Sequence, residues 1–230
     1  MTTRIVATYH GVEVPEAPHL GPTMIRNLEQ GRYERREVLA ALEVIGAHDR
    51  VVEMGAGAGI VGAVAAFNRK PEAMVAFEAN HRLLPHIESL YRHNGIEGAI
   101  ALHNEIVLSE PDAPQEAEFF IRGNFLGSGM QITKGLARAE KVRVPVRRWE
   151  ALRAQTRPSV LLMDIEGAEL DFFRHADLTG VRAVIVELHR NIYGRPGMKE
   201  NRHLLRAQGF VIHEELSRGG VFVFERPEAG

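Results

Sequence analysis

The sequence predicts an α/β protein in which helices cover both faces of a mostly parallel, doubly wound sheet. Short apolar strands recur near residues 51, 75 and 100, and helical patterns separate them. Two later strands, 158–164 and 182–188, are apolar almost throughout, which is typical of strands buried on both faces. Segments 210–214 and 221–225 flank Ser-Arg-Gly-Gly and predict a final antiparallel hairpin. We expect residues 1–230 to form a single domain.

The elements between these strands follow from residue spacing. Residues 1–46 predict an extended arm and then one helix, because Val38, Ala41, Leu42 and Ile45 fall on one helical face. Further helices are expected over 60–67, 83–91 and 199–208, and another is expected to begin at Glu166. Residues 109–148 break the alternation and predict an insert of strands and loops beside the sheet. Within this insert, the alternation over 142–147 and the proline at 145 favour an edge strand.

Composition and charge exclude several classes of function. The 28 Lys and Arg residues nearly cancel the 30 Asp and Glu residues, so the broad positive field of a nucleic-acid-binding protein is missing. The absence of Cys excludes disulfides, thiolate metal sites and Cys nucleophiles. No apolar run approaches the roughly 18–20 residues of a membrane span. We therefore expect no nucleic-acid or membrane partner and a cytoplasmic location, while a monomer and a homodimer both remain open.

The strongest local signal is a glycine-rich turn after the strand that ends at Met54. The turn consists of Gly55, Ala56, Gly57, Ala58 and Gly59. Such glycines allow a tight turn and close approach of a ligand, and the following helix presents its positive N-terminus. Glu78 ends the next strand, where doubly wound folds bind the ribose hydroxyls of an adenosine cofactor. The pattern predicts a site for a cofactor that contains a nucleoside.

Two classes of cofactor fit this turn. Residues 57–62 match G-x-G-x-x-G, so a nicotinamide-dependent oxidoreductase is one interpretation. Counted from Gly55, however, the pattern fails at Ile60, and no Tyr is followed four residues later by the Lys of short-chain dehydrogenases. Glu53 is a carboxylate in a buried strand and needs a partner, which the ammonium group of S-adenosylmethionine would supply. S-adenosylmethionine is therefore favoured, and a binding module without turnover is a third interpretation.

A second signal is a run of acids directly after the strand that ends near residue 163. Asp164 lies at the carboxyl end of this strand, where open α/β sheets bind their ligands. Glu166 and Glu169 are expected on one face of the following helix. Favourable interaction with the helix dipole is a sufficient explanation for Glu169 and Asp171, but not for Asp164.

The next strand ends in Glu187 and His189, which we expect beside Asp164. Together with Glu166, these side chains could bind a hard divalent cation. In the favoured alternative no metal is bound, and His189 titrates near neutral pH as a general base. A polar rim without chemistry explains His189 equally well.

With these motifs the chain resembles the FkbM-type methyltransferase family. The matching blocks are Gly31 to Glu34, Val51 to Gly59, Val75 to Asn80, Val144 to Val146 before a helix near Trp149, Met163 to Glu169, and Val186 to His189. They span about residues 30–215 in the family's order, and Asp-Ile-Glu-Gly-Ala-Glu is the most specific block. Two departures are that Gly57 stands where the family has an Asn, and Ala79 where it has a Pro.

The resemblance implies a Rossmann-like class I methyltransferase fold and S-adenosylmethionine as the methyl donor, with S-adenosylhomocysteine as product. It also implies O-methylation of a hydroxyl on a small molecule, sugar or natural product. The residues expected to bind the cofactor are Glu34, Glu53, Gly55, Ala56, Gly57, Gly59, Glu78, Ala79, Asn80, Asn104 and Asp164.

The resemblance also implies which part of the cofactor several of these residues contact. Glu53 is expected to bind the methionine end, Glu78 and Asn80 the ribose, and Asn104 the adenine, while Glu34 closes the site from the N-terminal helix. The expected catalytic residues are Asp164, Glu166 and His189. Between residues 134 and 148 six basic residues face one acid, which is either a solvated face or an attraction for an anionic acceptor.

Overall fold

The computed structural model describes residues 4–122, 128–130 and 139–227. Its strands in chain order are β1 (Ile5–Tyr9), β2 (Val12–Pro15), β3 (Arg50–Met54), β4 (Ala73–Phe77), β5 (Ile100–His103), β6 (Ile106–Leu108), β7 (Glu116–Ile121), β8 (Glu140–Arg148), β9 (Val160–Met163), β10 (Ala183–Glu187), β11 (Val211–Ile212) and β12 (Val221–Glu225). Its helices are α1 (Pro22–Glu29), α2 (Arg35–Val44), α3 (Ile60–Arg69), α4 (Leu84–His93), α5 (Trp149–Thr156), α6 (Glu169–His175) and α7 (Arg190–Ala207).

The main sheet has the order β11-β12-β10-β9-β3-β4-β5, and the predicted fold class is confirmed. The five strands from β10 to β5 are parallel, whereas β12 runs antiparallel to both β10 and β11. The chain proceeds outward from β3 to β5 and returns to β9 on the other side of β3. The carboxyl ends of β3 and β9 therefore flank the point where strand order reverses, which is where such sheets bind ligands.

Two apolar cores cover the two faces of the sheet. One contains buried residues of α2, α3, α4 and the β1–β2 hairpin, and the other contains buried residues of α5, α6 and α7. The central strands contribute alternate side chains to both cores, since they are covered on both faces. No helix in the described part of the chain is long and apolar enough to cross a membrane.

The N-terminal region differs from the prediction of an arm and one helix. Residues of the expected arm form the antiparallel β1–β2 hairpin. The single helix is wrong, because the chain forms α1 and α2 with a break between them. Gly31 and Glu34 both have positive φ angles, of 64° and 37°, and a helix cannot continue through that backbone conformation. The break places Glu34 at the N-terminal end of α2.

The insert forms a separate three-stranded sheet of order β6-β8-β7. The prediction of an edge strand is wrong, because β8 is the central strand. It pairs with β7 through residues 140–145 and with β6 through 146–148, so Pro145 lies where pairing passes from one neighbour to the other. A central strand can hold a proline at such a point because no ladder hydrogen bond to β6 is required there. Residues 123–127 and 131–138 of the predicted insert lie outside the described residues.

The segment after β9 is a turn where the sequence predicted a helix. Glu166 and Gly167 have positive φ angles of 51° and 104°, and α6 begins only at Glu169. Glu166 therefore extends from a turn and shares no helical face with Glu169. A Cβ atom at Gly167 would lie 2.4 Å from Ile192 Cδ1, so close packing on α7 also requires glycine there. Helix α7 begins at Arg190, earlier than predicted, and is kinked at Gly194.

Candidate functional site

A cavity opens at the carboxyl ends of β3, β4 and β9, beneath the three-stranded sheet. It encloses about 1140 Å³ of empty space, solvent at its mouth included. Its floor is formed by the glycine-rich turn and the turn after β9, and α2 contributes to one wall. Ile106, Phe119 and Met130 cover the opposite wall with apolar surface. A mostly apolar cleft with a few converging polar groups is typical of a small-molecule site.

The glycine-rich turn is wedged between the ends of β4 and β9. The backbone N–H groups of Gly55 and Ala56 donate to the carbonyl oxygen of Phe77 at 2.9 and 3.0 Å. A Cβ atom on Gly55 would lie 1.8 Å from the carbonyl oxygen of Asp164. At Gly57 the same atom would have no neighbour within 4 Å among the described residues, which leaves room there for a ligand to approach the backbone.

Three of the predicted turn residues, Gly55, Ala56 and Gly57, line the cavity, whereas Gly59 does not. A Cβ atom on Gly59 would lie 2.6 Å from Ile87 Cγ2. The last glycine of the turn therefore allows α3 to pack closely on α4 rather than contacting a ligand.

Glu53 places a buried carboxylate in the cavity. The residue is only 2% exposed, and burial raises the pKa of its carboxyl group to about 8. Within the described residues its Oε2 atom forms no hydrogen bond of good geometry, although the nearby backbone N–H of Gly62 opposes part of the pKa shift. A Cβ atom on Gly62 would lie 2.2 Å from this oxygen, so glycine in α3 gives the carboxylate its room. A buried carboxylate oxygen of this kind retains acceptor capacity for a further donor.

Glu78 organises the opposite side of the turn. Its carboxylate accepts hydrogen bonds from the backbone N–H groups of Gly57 and Asn80, both at 2.7 Å. Burial raises its pKa to about 7. Asn104 donates from behind to the carbonyl oxygens of Glu78 and Ala79 at 2.8 and 3.0 Å, and does not line the cavity. The next residues along the chain, 105–107, do line the cavity.

His189 lies behind two of the predicted catalytic acids. Its Nε2 atom is 3.3 Å from Glu166 Oε2 and 3.7 Å from Asp164 Oδ1. Its Nδ1 atom is 2.9 Å from Glu169 Oε1, and Glu169 is fully buried. Asp164 and Glu166 line the cavity, whereas His189 does not.

The charge state of His189 differs from the predicted one. Burial opposes a charge on the ring, but hydrogen bonds to Glu166 and Glu169 outweigh it and raise the pKa of His189 to about 11. A ring that keeps its proton at neutral pH is a poor general base. The sequence argument assigned Glu169 to the helix dipole alone. The sequence places β9 and β10 side by side, but the position of Glu169 opposite His189 also depends on the turn at Glu166, which no local pattern reveals.

The possible metal ligands form a smaller group than predicted. Ligand atoms of Asp164, Glu166 and His189 lie within 4.8 Å of one another, and Glu187 is not part of this group. The carboxylate of Glu187 instead faces the turn at Gly220, from which a Cβ atom would be 3.4 Å away. The imidazolium of His189 already supplies positive charge where a cation would bind.

Helix α2 contributes two acids to the cavity. Glu34 lies there as the sequence predicted, and Glu37 is an additional residue that the sequence argument missed. Burial, with Glu37, Glu187 and Glu166 nearby, raises the pKa of Glu34 to about 8, although a hydrogen bond with Tyr33 opposes the shift. The spacing of three residues between Glu34 and Glu37 is the signal that could have revealed the second acid.

The basic residues of the insert that the structure describes do not line the cavity. Lys141 and Arg143 pair with Glu118 and Glu116 across the β7–β8 ladder. Arg147 binds both carboxylate oxygens of Glu105 at 2.7 and 3.0 Å. The basic residues at 134 and 138 lie outside the described residues. The lining residues that the structure describes include no Lys, Arg or His, so the expected attraction of an anionic acceptor has no support.

Comparisons with known proteins agree with this fold. Residues 45–212 match the sequence profile of the methyltransferase FkbM domain. Precorrin-6y C5,15-methyltransferase from Geobacter metallireducens is 11% identical with a TM-score of 0.51, covering 96% of this chain and 98% of that chain, which shows the shared fold. Methyltransferase FkbM from Methylobacillus flagellatus is 16% identical with a TM-score of 0.49, covering 90% and 60%. Ribosomal protein L11 methylase from Lactobacillus delbrueckii is 15% identical with a TM-score of 0.48, covering 86% and 80%. None of the curated proteins compared with the chain matches it in sequence.

Proposed function

We propose that this chain, which belongs to the FkbM methyltransferase family, transfers the methyl group of S-adenosylmethionine to a hydroxyl oxygen of a small molecule. Membership makes the protein a methyltransferase of an S-adenosylmethionine-dependent family. The hydroxyl acceptor and the roles of individual residues are the further part of the proposal. The observation that carries it is the buried residue Glu53, which lines the cavity beside the glycine-rich turn and whose Oε2 forms no well-aligned hydrogen bond within the described residues.

The cofactor fits the β4 and β3 side of the cavity. The ribose hydroxyls would donate to the remaining lone pairs of Glu78, which the backbone already holds in place. The open backbone at Gly57 allows close approach, and Glu53 would accept a hydrogen bond from the methionine ammonium group. A charge-assisted hydrogen bond of this kind contributes about 1.5–3 kcal/mol.

The side chains after β9 would serve the transfer itself. A lone pair of the hydroxyl oxygen would attack the methyl carbon that bound S-adenosylmethionine supplies, and the carbon–sulfur bonding pair would stay on sulfur. The hydroxyl proton passes to the carboxylate of Asp164 or Glu166, both of which line the cavity. Holding oxygen and methyl in line can supply roughly 7–11 kcal/mol of the barrier.

His189 is in this scheme a positioning residue. Its imidazolium holds the two carboxylates in place and lowers their mutual repulsion, while Glu169 fixes the orientation of the ring.

The charge of the cavity also disfavours the nicotinamide alternative. A dinucleotide would bring a pyrophosphate with two negative charges to the glycine-rich turn. The described lining residues offer it no cationic side chain, and Glu78 already accepts the Gly57 N–H that would face it.

Calorimetric titration of the full chain with S-adenosylhomocysteine and with NADH, in parallel, tests the cofactor. We expect the homocysteine product to bind and Glu53→Gln to weaken it about tenfold, the loss of one charge-assisted hydrogen bond. Glu97→Gln is the matched control, because Glu97 is exposed and distant from the cavity. Binding of NADH without binding of the homocysteine product would contradict the proposal.

Turnover is tested with donor labelled in the methyl group and a panel of alcohols and sugars. Label is expected in a base-stable methyl ether. Label recovered only in amines or in base-labile esters would exclude the hydroxyl acceptor while leaving the methyltransferase intact.

A further inference from the structure

We propose that the acceptor is a cation, an amino alcohol or amino sugar whose protonated amine binds beside the hydroxyl that receives the methyl group. This inference rests on the proposed function of the same cavity and adds the class of its substrate. It would make the cavity specific for a positively charged small molecule over neutral and anionic alcohols.

The first observation is the charge of the lining. Seven carboxylate side chains line the cavity, and none of the described lining residues is basic. Glu105 is paired with Arg147, and Asp164 and Glu166 share His189. The other four, Glu34, Glu37, Glu53 and Glu78, form no ion pair within the described part of the chain.

The second observation is where these acids lie. The cofactor would engage Glu53 and Glu78, at the ends of β3 and β4. The remaining acids lie on the other side, where α2 packs against β10 and the turn follows β9. This is the side on which an acceptor can reach the methyl group. Buried oxygens that retain acceptor capacity occur on both sides, since Glu53 Oε2 and Asp164 Oδ1 each form no well-aligned hydrogen bond in the described structure.

Positive charges near the acceptor side do not balance the acids. His189 is held by Glu169, which offsets its charge. Arg36 acts on Glu37 and Glu187 from outside the cavity, and its guanidinium donates to the carbonyl oxygen of Gly219. Among the residues that the structure describes, the acids Glu34, Glu37, Asp164, Glu166 and Glu187 therefore outnumber the cations near them.

An ammonium group among these carboxylates relieves their repulsion, and an anionic acceptor increases it. Burial and the neighbouring acids Glu37, Glu187 and Glu166 raise the pKa of Glu34. A bound cation would stabilise its carboxylate and lower that pKa again. An ammonium group has three N–H donors, one of which could donate to Asp164 Oδ1. A hydroxyl group has a single O–H donor, which Asp164 and Glu166 would have to share.

Matched alcohols test the proposal. The full chain, saturated with S-adenosylhomocysteine, is titrated with glucosamine, glucose and glucuronate, and with serinol, glycerol and glycerate. We expect the ammonium member of each set to bind at least about tenfold tighter than the neutral one, and the carboxylate member to bind weakest. Glu37→Gln should halve the difference in binding free energy between the ammonium and neutral members, so that the tenfold affinity ratio falls to roughly threefold. Glu43→Gln, an exposed acid on the same helix, should leave it unchanged.

Three outcomes overturn the inference. The first is equal binding, or no binding, of the ammonium and neutral members. The second is preference for the carboxylate members. The third is binding of Mn²⁺ to the cavity followed by equal use of neutral and ammonium alcohols, because a metal ion would then be the cation that the acids bind. Saturation with S-adenosylhomocysteine is measured first, so failure of the proposed function is recognised separately.

Discussion

At the scale of single residues, the burial of Glu53 carries a cost in stability that depends on pH. Its pKa of about 8 in the empty protein exceeds the ordinary value of 4.5, because burial disfavours the carboxylate. The unfolded chain therefore ionises first as pH rises. The contribution of this group to stability is complete below about 4.5 and is lost as pH rises through 8.

The first prediction concerns this pH dependence. The free energy of unfolding of the empty protein should fall between about pH 5 and about pH 8, and Glu53→Gln should reduce the fall by roughly 1–3 kcal/mol. Glu34 and Glu78 shift in the same direction, so part of the slope should remain. Urea denaturation at several pH values measures this pH dependence of the free energy of unfolding. An unchanged slope in the variant would show that Glu53 does not titrate in this range.

The second prediction concerns Glu169 as the residue that orients His189. In Glu169→Gln the pKa of His189 should fall by about 1–2 units, because a charge-assisted hydrogen bond becomes a neutral one. Nuclear magnetic resonance of the ring protons measures this titration directly. The exposed His175 serves as the internal reference. If His189 titrates identically in both proteins, Glu169 has only a structural role.

At the scale of elements, two glycines of one turn provide a matched pair. Both have positive φ angles, so Ala at either costs about 1–2 kcal/mol in backbone strain. At Gly55 the methyl group would also meet the Asp164 carbonyl oxygen at 1.8 Å, which separates the ends of β3 and β9. We predict that Gly55→Ala loses more than about 4 kcal/mol of stability, while Gly57→Ala stays folded but binds S-adenosylhomocysteine more weakly. Thermal unfolding and calorimetry separate the two, and equal loss of stability would contradict the assignment of Gly55 to strand packing.

Elements with a regular pattern were predictable, and those that depend on a distant contact were not. The strand that ends at Met54 and the final hairpin could be predicted from local sequence alone, because each consists of a short apolar run next to a glycine-containing turn. The turn at Glu166 was missed, because acids after a strand are equally typical of a first helical turn. Its left-handed backbone is fixed by packing of Gly167 on Ile192, which lies far along the chain.

The candidate site follows the same division. Glu53, Glu78 and Asp164 could be placed at the cavity from strand ends alone, since carboxyl ends of parallel strands share one edge. Glu37 and the Glu169–His189 contact could not, because they require the packing of α2 on β10 and the turn at Glu166, after which α6 begins only at Glu169. Tertiary pairing, rather than local pattern, decides these two features.

At the scale of the whole molecule, the buried acids at the two ends of the sheet's strands differ in whether they are paired with cations. At the carboxyl ends of the strands, acids line a cavity without basic side chains among the described residues. At the amino ends, Asp49 is 5% exposed and fully partnered. It accepts hydrogen bonds from the Gly46 N–H and the Ser159 hydroxyl, both at 2.7 Å, and from the guanidinium of Arg182. These groups join the segment before β3 to the starts of β9 and β10.

The last prediction follows from that contrast. Burial alone would raise the pKa of Asp49, but Arg182, Gly46 and Ser159 outweigh it and hold the pKa below the ordinary 3.8. The stabilisation is therefore present above that value and is lost as pH falls through the lower pKa of the folded protein. Asp49→Asn should cost about 2–4 kcal/mol at neutral pH, and the difference from the parent should shrink below about pH 4. S-adenosylhomocysteine affinity of the folded variant should stay unchanged, because Asp49 lies at the edge opposite the cavity. Urea denaturation across this pH range, with calorimetry at neutral pH, measures both. A variant of full stability, or one that loses the ligand while folded, would show that the two edges are not independent.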